Sequence, residues 1–245
     1  MCISQLVRVK RVWVAAVLLA IGVTMIFLAW QFRLDYSKRT LVDRSLLTDI
    51  PCPAPCWQGI VPGETSRSQA LQILRDSPYL RHDSLQESGT DENGGVTWQW
   101  DVPGRRLTSS ISWQDGVVQS ITLGLTYDLT VDQVIGKFGP PEAIDVIEGG
   151  TPEHNYWIID LYYPHVGVQF KAYTPEFESS LEPSTEVGVA QFFVPTSLEE
   201  RVSDVFGEGE SAERIISRVM GLMRPWQGYG DLFEVYYESP QDLGW

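Results

Sequence analysis

Histidine and cysteine, which often carry nucleophilic, redox and metal chemistry, are scarce in this chain. The 245 residues hold three of each, and the histidines His82, His154 and His165 are isolated in the sequence. The sequence also lacks G-x-S-x-G, H-E-x-x-H, the phosphate-binding loop and the dinucleotide fingerprint. We therefore predict no catalytic residues, no bound metal and no cofactor, and these absences favour a protein that is not an enzyme.

Basic residues are also scarce beyond the first 44 positions. Residues 1–44 contain seven Lys or Arg and two Asp, whereas the remainder contains eleven basic and thirty acidic residues, a net charge of −19. A domain of that charge repels phosphate backbones and anionic lipid surfaces. We therefore exclude nucleic acid as a partner. The negative charge is typical of a soluble extracytoplasmic domain. A second interpretation of the same charge is that the domain binds a basic partner.

One long uncharged run is present, from Val12 to Trp30, directly after three basic residues between positions 8 and 11. A membrane-spanning helix needs about 20 apolar residues, and the two ends of the run carry Trp13 and Trp30, as interfacial indoles do. The alternative is a cleaved secretory signal, but its apolar region is usually about 7–15 residues and no A-x-A pattern follows here. We predict an uncleaved transmembrane helix over residues 12–31 that anchors the chain in the lipid bilayer.

The orientation of this anchor rests on a weaker asymmetry, because basic residues flank the run on both sides. The short tail, with its charge placed before the apolar run, favours residues 1–11 as a cytoplasmic tail. We therefore predict a single-pass protein of the bacterial cell membrane whose long C-terminal domain lies outside.

Cys52 and Cys56 lie in a proline-rich segment on the predicted outer side. In an oxidising compartment, two nearby cysteines most simply form a disulfide. A Cys-x3-Cys pair can also hold a soft metal ion such as copper, or act as a redox dithiol, and both alternatives stay open. We predict the disulfide, within a tether and lead-in that spans residues 32–56.

A helix followed by alternating strands comes next. Ser66 with Gln69 three residues later forms a capping box, and the apolar stripe after it predicts a helix that ends before Pro78. Apolar and polar residues then alternate along three predicted strands: 96–102, 107–113 and 117–123. Residues 57–125 are therefore predicted as a first helix–meander unit.

The same order recurs 64 residues later. Thr130 and Gln133 form a second capping box at the positions that match Ser66 and Gln69. Strands are predicted after this helix at 143–147, 156–163 and 166–173. Chance is the alternative, since capping boxes are common, but the constant offset favours a second unit over residues 126–176. We predict an α+β fold in which both units share one antiparallel sheet with helices packed on one face.

Residues 187–245 are predicted as a C-terminal α/β extension. Their patterns predict a strand over 187–194, helices over 196–206 and 213–223, and a last strand over 231–237.

Aromatic residues are the best candidates for a binding surface, because they anchor protein interfaces and stack on sugars. Trp57 and Trp226 each begin a Trp-Gln-Gly triplet near a proline. We predict Trp57, Trp226 and Tyr229 as exposed binding residues. The tryptophans of the predicted strands are instead assigned to the core beneath the helices: Trp98, Trp100 and Trp113.

The segment Leu129–Pro141 resembles the helix signature of small outer-membrane-assembly lipoproteins of the SmpA/OmlA (BamE-like) type, where a threonine-capped helix ends in Gly-x-Pro before a hairpin. The tandem helix-plus-hairpin pattern resembles the β-lactamase-inhibitor-protein fold. These resemblances imply a fold that binds proteins rather than catalysing a reaction. No lipid-acceptor cysteine follows the apolar run, so an outer-membrane location does not carry over.

The segments Cys56–Thr65 and Pro225–Gly230 resemble elements of anchored bacterial proteins, such as those of the Chloroflexota, which implies a bacterial cell envelope. We predict a non-catalytic binding module of that envelope, which contacts a protein or another envelope component. The first alternative is an extracytoplasmic hydrolase that acts on glycans through paired carboxylates. The second is a thiol redox or copper protein.

Overall fold

The computed structural model of the chain describes Gly22 and residues 45–102, 105–151, 154–175, 177–206 and 210–236. All of these except Gly22 belong to one unit that spans residues 42–245. Among the residues described, no helix has the length and apolar character that crossing a membrane requires. The anchor predicted over residues 12–31 lies outside the described residues, apart from Gly22.

The described chain is a mixed α+β fold with a large antiparallel sheet. Its helices are α1 (Ser45–Thr48), α2 (Arg67–Asp76), α3 (Val131–Phe138), α4 (Leu198–Phe206), α5 (Glu210–Leu222) and α6 (Leu232–Val235). Its strands are β1 (Gln86–Gly89), β2 (Gly94–Val102), β3 (Arg105–Gln114), β4 (Val117–Thr130), β5 (Ala143–Thr151), β6 (His154–Tyr163), β7 (Val168–Tyr173), β8 (Ser180–Leu181), β9 (Glu186–Phe193) and β10 (Gly230–Asp231). Short 3-10 helices lie at His82–Ser84 and Pro164–Val166.

Eight of the described strands form one sheet in the order β1-β2-β3-β4-β9-β7-β6-β5. Every neighbouring pair in it is antiparallel. The remaining strands, β8 and β10, pair with each other. The sequence patterns predicted β2 to β7 and β9, which the structure confirms, and missed the short edge strand β1.

The prediction of a last strand over residues 231–237 is wrong. Only Gly230 and Asp231 pair with β8, and the chain then turns into α6. The carboxylate of Asp231 accepts hydrogen bonds from the backbone N–H groups of Phe233 (2.9 Å) and Glu234 (3.3 Å). This N-cap starts a helix at a point where the apolar residues alone favoured a strand.

Both capping boxes read from the sequence begin helices. The Ser66 N–H donates to Gln69 Oε1 over 3.1 Å, and the Gln69 N–H donates to Ser66 Oγ over 3.4 Å at the start of α2. At the start of α3, the Thr130 N–H donates to Gln133 Oε1 over 3.1 Å. These local signals therefore fixed both helix starts at the predicted residues.

One face of the sheet, here called the core face, packs against α2 and α3. Successive side chains of a strand point to opposite faces, and a buried row crosses five strands on this side: Ile144, Leu161, Phe170, Ala190 and Leu123. Helix residues join the same hydrophobic cluster: Ala70, Leu71 and Leu74 from α2, and Val131 and Val134 from α3.

The opposite face, here called the outer face, carries a row of cross-strand partners over all eight strands: Ala143, Tyr162, Gln169, Gln191, Thr122, Ser110, Thr97 and Gln86. Helices α4 and α5 pack on the apolar end of this row, where Val202 and Met223 cluster with Ala143 and Tyr162. The prediction that the helices pack on one face is therefore wrong. The physical reason is that Ala143 and Tyr162 form an apolar surface on the outer face, and the amphipathic helices α4 and α5 bury it.

Candidate functional site

Trp57 lies in the core, so the predicted surface position of this residue is wrong. Its side chain is 1% exposed and stacks on Trp98 with ring centroids 5.6 Å apart. The turn after it has positive φ at Gln58 (53°) and Gly59 (87°), and it pairs the backbone of Trp57 with that of Ile60. This tight reversal directs the ring inward, so Trp57 stabilises the fold and offers no surface to a partner.

Trp226 and Tyr229 form an aromatic group with Tyr236. The rings of Trp226 and Tyr229 meet edge to face with centroids 5.4 Å apart. Trp226 is half-buried against the main core, whereas Tyr229 is 40% exposed. The Tyr236 hydroxyl fixes the segment by accepting from the Gln227 N–H (2.9 Å) and donating to the Gly228 carbonyl (2.6 Å). A binding role for Trp226 and Tyr229 stays a prediction.

The strand tryptophans lie in the core, as the alternation predicted. Trp98, Trp100 and Trp113 are 1%, 7% and 4% exposed. Trp100 Nε1 donates to Ser109 Oγ over 2.5 Å, and Trp113 Nε1 donates to the Thr90 carbonyl over 2.9 Å. Such partners are usual for buried indoles, whereas the buried Nε1 of Trp98 has no hydrogen-bond partner among the described residues.

Cys52 and Cys56 are joined as a disulfide with Cα atoms 5.7 Å apart, which is the pairing that their spacing predicted. In the part of the chain that the structure describes, no group of three or more His, Cys, Asp or Glu side chains is placed to hold a metal ion. His165 is exposed at the turn after β6, and its Nε2 atom lies 3.3 Å from Oε2 of Glu142.

A group of large side chains lies on the outer face at β5, β6 and β7. In the strand registers Ile147 pairs with Ile158, Ile158 with Tyr173, and Gly149 with Tyr156, so these side chains share one face. Ile147 is 47% exposed, and the other three large side chains are half-buried. The two tyrosine rings contact each other with centroids 6.1 Å apart. We call Ile147, Tyr156, Ile158 and Tyr173 the outer patch.

Two glycines make room for the tyrosine rings of the outer patch. A Cβ on Gly149 would lie 2.8 Å from Tyr156 Cε2, and a Cβ on Gly188 would lie 2.8 Å from Tyr173 Cε2. Real Cβ contacts essentially never come this close, so each ring rests against glycine backbone on the neighbouring strand. The two rings therefore pack closely on the backbone of a neighbouring strand, which restricts their positions.

A polar network borders the outer patch on the same face. Asp145 on β5 and Asp160 on β6 are cross-strand partners and are 9% and 3% exposed. Lys171 Nζ donates to Asp160 Oδ2 over 2.8 Å, and Gln169 Nε2 donates to Asp160 Oδ1 over 3.0 Å. Both oxygens of Asp160 are thus engaged.

Arg201 connects this network to α4. Its Nη2 donates to Gln169 Oε1 (3.3 Å) and Gln191 Oε1 (2.7 Å), and its guanidinium carbon lies 4.1 Å from the centre of the Phe193 ring. Burial lowers the pKa of Arg201, although an arginine stays protonated in proteins. Helix α4 therefore places a buried cation close to Asp160.

The aspartate pair is an acid–base feature of the described outer face that the hydrolase alternative could use. Burial, together with the negative charge of Asp160, raises the pKa of Asp145 to about 6. A carboxyl group with such a pKa is suited to general acid catalysis. However, both carboxyls are nearly closed to solvent and Asp160 is held by Lys171. The geometry therefore favours a structural role over glycan hydrolysis.

The outer patch was missed by the sequence analysis, although β6 carries a signal for it. Residues 156–163 form an apolar run that Asp160 interrupts. A continuous apolar strand is typical of a strand covered on both faces. The run therefore indicated that the second face of β6 also needs cover. Among the described residues, α4 and α5 supply it at one end, whereas Ile147 of the outer patch is 47% exposed.

Comparisons of the chain with protein-family models, with curated proteins and with solved structures find no match. The resemblances drawn from the sequence therefore stay predictions. Functional inference rests on the outer face itself.

Proposed function

We propose that this chain is a membrane-anchored, extracytoplasmic and non-catalytic binding protein that holds a protein partner on its outer patch. The observation that carries the proposal is the placement of Ile147, Tyr156, Ile158 and Tyr173 side by side on a sheet face. Contiguous apolar surface with a polar border is characteristic of interaction sites.

The composition of the outer patch suits a protein interface. Tyrosine is enriched among residues that dominate binding energy, and such residues lie at the centre of a contact. Around them the border is polar, with Lys171 33% exposed and the nearly buried Asp145 beside it. An apolar centre within a polar rim is the usual anatomy of a protein–protein contact.

The charge of the domain indicates the partner's charge. Beyond residue 44 the chain has a net charge of −19, so a basic protein is attracted over a distance set by the ionic strength. Such steering mainly accelerates association, while the apolar contact sets the lifetime of the complex. We therefore infer a basic partner surface with an apolar centre.

The order of the strands in the large sheet supports a tandem duplication of a helix–meander unit. Read from either edge, the sheet runs in chain order toward its middle, β1-β2-β3-β4 on one side and β5-β6-β7-β9 on the other. A capped helix precedes each set, α2 before the first and α3 before the second. We propose that two copies of one unit meet at β4 and β9 and so double the width of the sheet.

The membrane anchor is part of the proposal. The uncharged run between Val12 and Trp30 follows three basic residues, which supports a single-pass helix over residues 12–31 with the tail inside and the domain outside. Extraction of cell membranes with alkaline carbonate tests this: an anchored chain stays in the membrane pellet. Release into the supernatant would contradict the anchor.

Substitution of the two tyrosines tests the binding role. The full chain, captured from crosslinked membranes, is compared with a Tyr156→Ala/Tyr173→Ala variant and with Tyr229→Ala as the matched aromatic control. Loss of a tyrosine hot spot costs about 2 kcal/mol or more, so we expect recovery of the partner to fall at least about tenfold in the double variant. The Tyr229→Ala control should recover the partner as the natural chain does.

The reverse result would contradict the proposal. If Tyr229→Ala loses the partner and the double variant keeps it, the binding surface is the Trp226–Tyr229 group that the sequence predicted. If the natural chain captures no stoichiometric protein, the outer patch does not hold one in the membrane.

A further inference from the structure

The two edges of the eight-stranded sheet are built differently. At one edge, β1 is four residues long, and its Glu87 bonds Arg67 over 2.7 Å and Arg75 over 3.2 Å, both from the side of α2. At the other edge, β5 is nine residues long. A short edge strand with charged side chains is protected against further pairing, whereas a long edge strand is a template for another strand. The edge of β5 is therefore the one suited to accept a further strand.

The first part of the β5 edge is already used within the chain. The Ile144 N–H donates to the Arg224 carbonyl over 2.8 Å, and the Arg224 N–H donates to the Ile144 carbonyl over 2.9 Å. The next N–H on this side, that of Val146, donates to the carboxyl group of Asp145. These contacts close the edge as far as Val146.

The edge is open at Glu148. Its register partner on β6 is Trp157, whose N–H donates to Thr174 Oγ1 over 2.9 Å and whose carbonyl accepts from the Thr174 N–H over 3.1 Å. Because both backbone groups of Trp157 point away from β5, Glu148 and Trp157 form a pair without mutual hydrogen bonds. The backbone N–H and C=O of Glu148 therefore point out of the sheet, and neither has a partner among the described residues.

The side chains beside this opening determine what an added strand would carry. Ile147 belongs to the outer patch and is 47% exposed, whereas the exposed Glu148 lies on the core face, where Asn155 Nδ2 donates to its Oε1 over 2.7 Å. Alternate side chains of an added strand point to these two faces. Those beside Ile147 meet an apolar neighbour, and the one opposite Glu148 meets a carboxylate. The edge therefore fits a segment whose residues are apolar, basic and apolar in order.

We propose that a basic protein partner adds an extended segment of its chain to β5, paired at Glu148. This inference rests on the proposed function, because the added strand continues the contact that begins on the outer patch. In such complexes the backbone hydrogen bonds give affinity and the alternate side chains give specificity. A second copy is disfavoured, because two β5 edges that pair at Glu148 would place like charges opposite each other. Each copy also has a net charge of −19 beyond residue 44.

Two substitutions at Glu148 test the backbone contact. Glu148→Pro and Glu148→Ala both remove the carboxylate and its bond from Asn155, but only proline also removes the N–H. Proline is tolerated on an edge strand where the N–H faces solvent. We expect recovery of the partner from crosslinked membranes to be at least about fivefold lower for Glu148→Pro than for Glu148→Ala. Equal recovery by the two variants would overturn the proposal.

A defined peptide provides a second measurement on the natural full chain. The probe is the end-blocked peptide Ser-Thr-Ile-Lys-Ile-Thr-Ser, and amide exchange is followed by NMR in detergent micelles. At a peptide concentration of about ten times Kd, exchange of the Glu148 amide should slow about tenfold. The amides of Ile147 and Gly149 face β6 and should not change. The same peptide methylated on the lysine backbone nitrogen is the matched control and should protect no amide.

Three results of the peptide experiment would overturn the proposal. They are unchanged exchange at Glu148, equal protection by the methylated peptide, and protection that rises with protein concentration in the absence of peptide, which would indicate a second copy. The outer-patch proposal fails separately. If Tyr156→Ala/Tyr173→Ala loses the partner and Glu148→Pro keeps it, the outer patch stands and the added strand is overturned. The converse result supports the added strand and overturns the outer patch.

Discussion

Asp145 and Asp160 lie opposite each other on neighbouring strands, and Lys171 Nζ bonds Asp160 over 2.8 Å. Burial and the charge of Asp160 raise the pKa of Asp145 to about 6 from an ordinary value of 3.8. The pair therefore places a carboxyl that holds its proton below about pH 6 beneath the border of the outer patch. The free energy of unfolding of the domain therefore depends on pH through the protonation of Asp145.

Asp145 makes stability fall as the pH rises. Between pH 3.8 and about 6, the folded state binds the Asp145 proton more tightly than the unfolded chain does, so the free energy of unfolding decreases over this window. The decrease approaches about 3 kcal/mol for a shift of this size. We expect Asp145→Asn to be about 1–3 kcal/mol more stable than the natural chain at pH 7 and equal to it at pH 4, measured by urea unfolding. Equal stability at both pH values would contradict this account.

Asp160→Asn is the matched control and should act in the opposite direction. It replaces one of the two carboxylate oxygens that accept from Lys171 and Gln169 and removes the negative charge that pairs with Lys171. We therefore expect a loss of about 1–3 kcal/mol at pH 7. Removing its charge also lowers the pKa of Asp145, which NMR titration of the Asp145 carboxyl detects. An unchanged Asp145 titration would show that the two groups are not coupled.

Trp57 should matter for stability and not for binding. Its ring is buried against Trp98, and truncation of a buried aromatic residue costs about 3–5 kcal/mol. Trp57→Ala should therefore lower the free energy of unfolding by this amount, whereas Tyr229→Ala, at a residue 40% exposed, should change it little. Urea unfolding of both variants decides the matter, and a small effect of Trp57→Ala would place its ring outside the core.

Thiol labelling of Cys52 and Cys56 distinguishes a structural disulfide from the redox and copper alternatives. The chain has three cysteines, so labelling without reductant should mark at most Cys2, and labelling after unfolding and reduction should mark all three. A disulfide that closes so short a loop contributes about 2 kcal/mol in the chain-entropy account. Cys52→Ser/Cys56→Ser should lose about this much stability. Ready labelling of Cys56 in the folded protein would favour a reactive dithiol.

Gly149 should tolerate alanine poorly because of the ring of Tyr156. The new Cβ would lie 2.8 Å from Tyr156 Cε2, so Gly149→Ala displaces the ring and destabilises the domain by about 1–3 kcal/mol. Gly136 in α3 is the matched control, since a Cβ there meets nothing within 4 Å. Gly136→Ala should stabilise by about 0.5–1 kcal/mol. If both substitutions stabilise, the ring does not rest on Gly149.

Local sequence signals predicted the elements whose determinants are local. The capping boxes at Ser66 and Thr130 fixed two helix starts, and alternation fixed most strands of the sheet. Trp57 was misplaced because the direction of its ring depends on positive φ at Gln58 and Gly59. A Trp-Gln-Gly triplet does not reveal that conformation by composition alone.

The outer patch depends on pairings that a single strand does not reveal. Ile147 and Tyr173 share a surface only through the registers of β5, β6 and β7. Whether that surface is covered depends on where α4 and α5 pack, and this is set by Ala143 and Tyr162 at the other end of the strands. The pattern of β6 showed that both faces are apolar, but it did not show which end stays exposed.

The most direct test of the central claim is photocrosslinking from the outer patch in the native membrane. A crosslinking amino acid replaces Ile147, which is 47% exposed, and in a second chain it replaces Arg75, whose side chain is 63% exposed on α2 at the core-face side. The account predicts one discrete protein adduct from position 147 and none from position 75. Equal adducts from both positions, or an adduct from position 75 alone, would contradict the assignment of the outer patch as the binding surface.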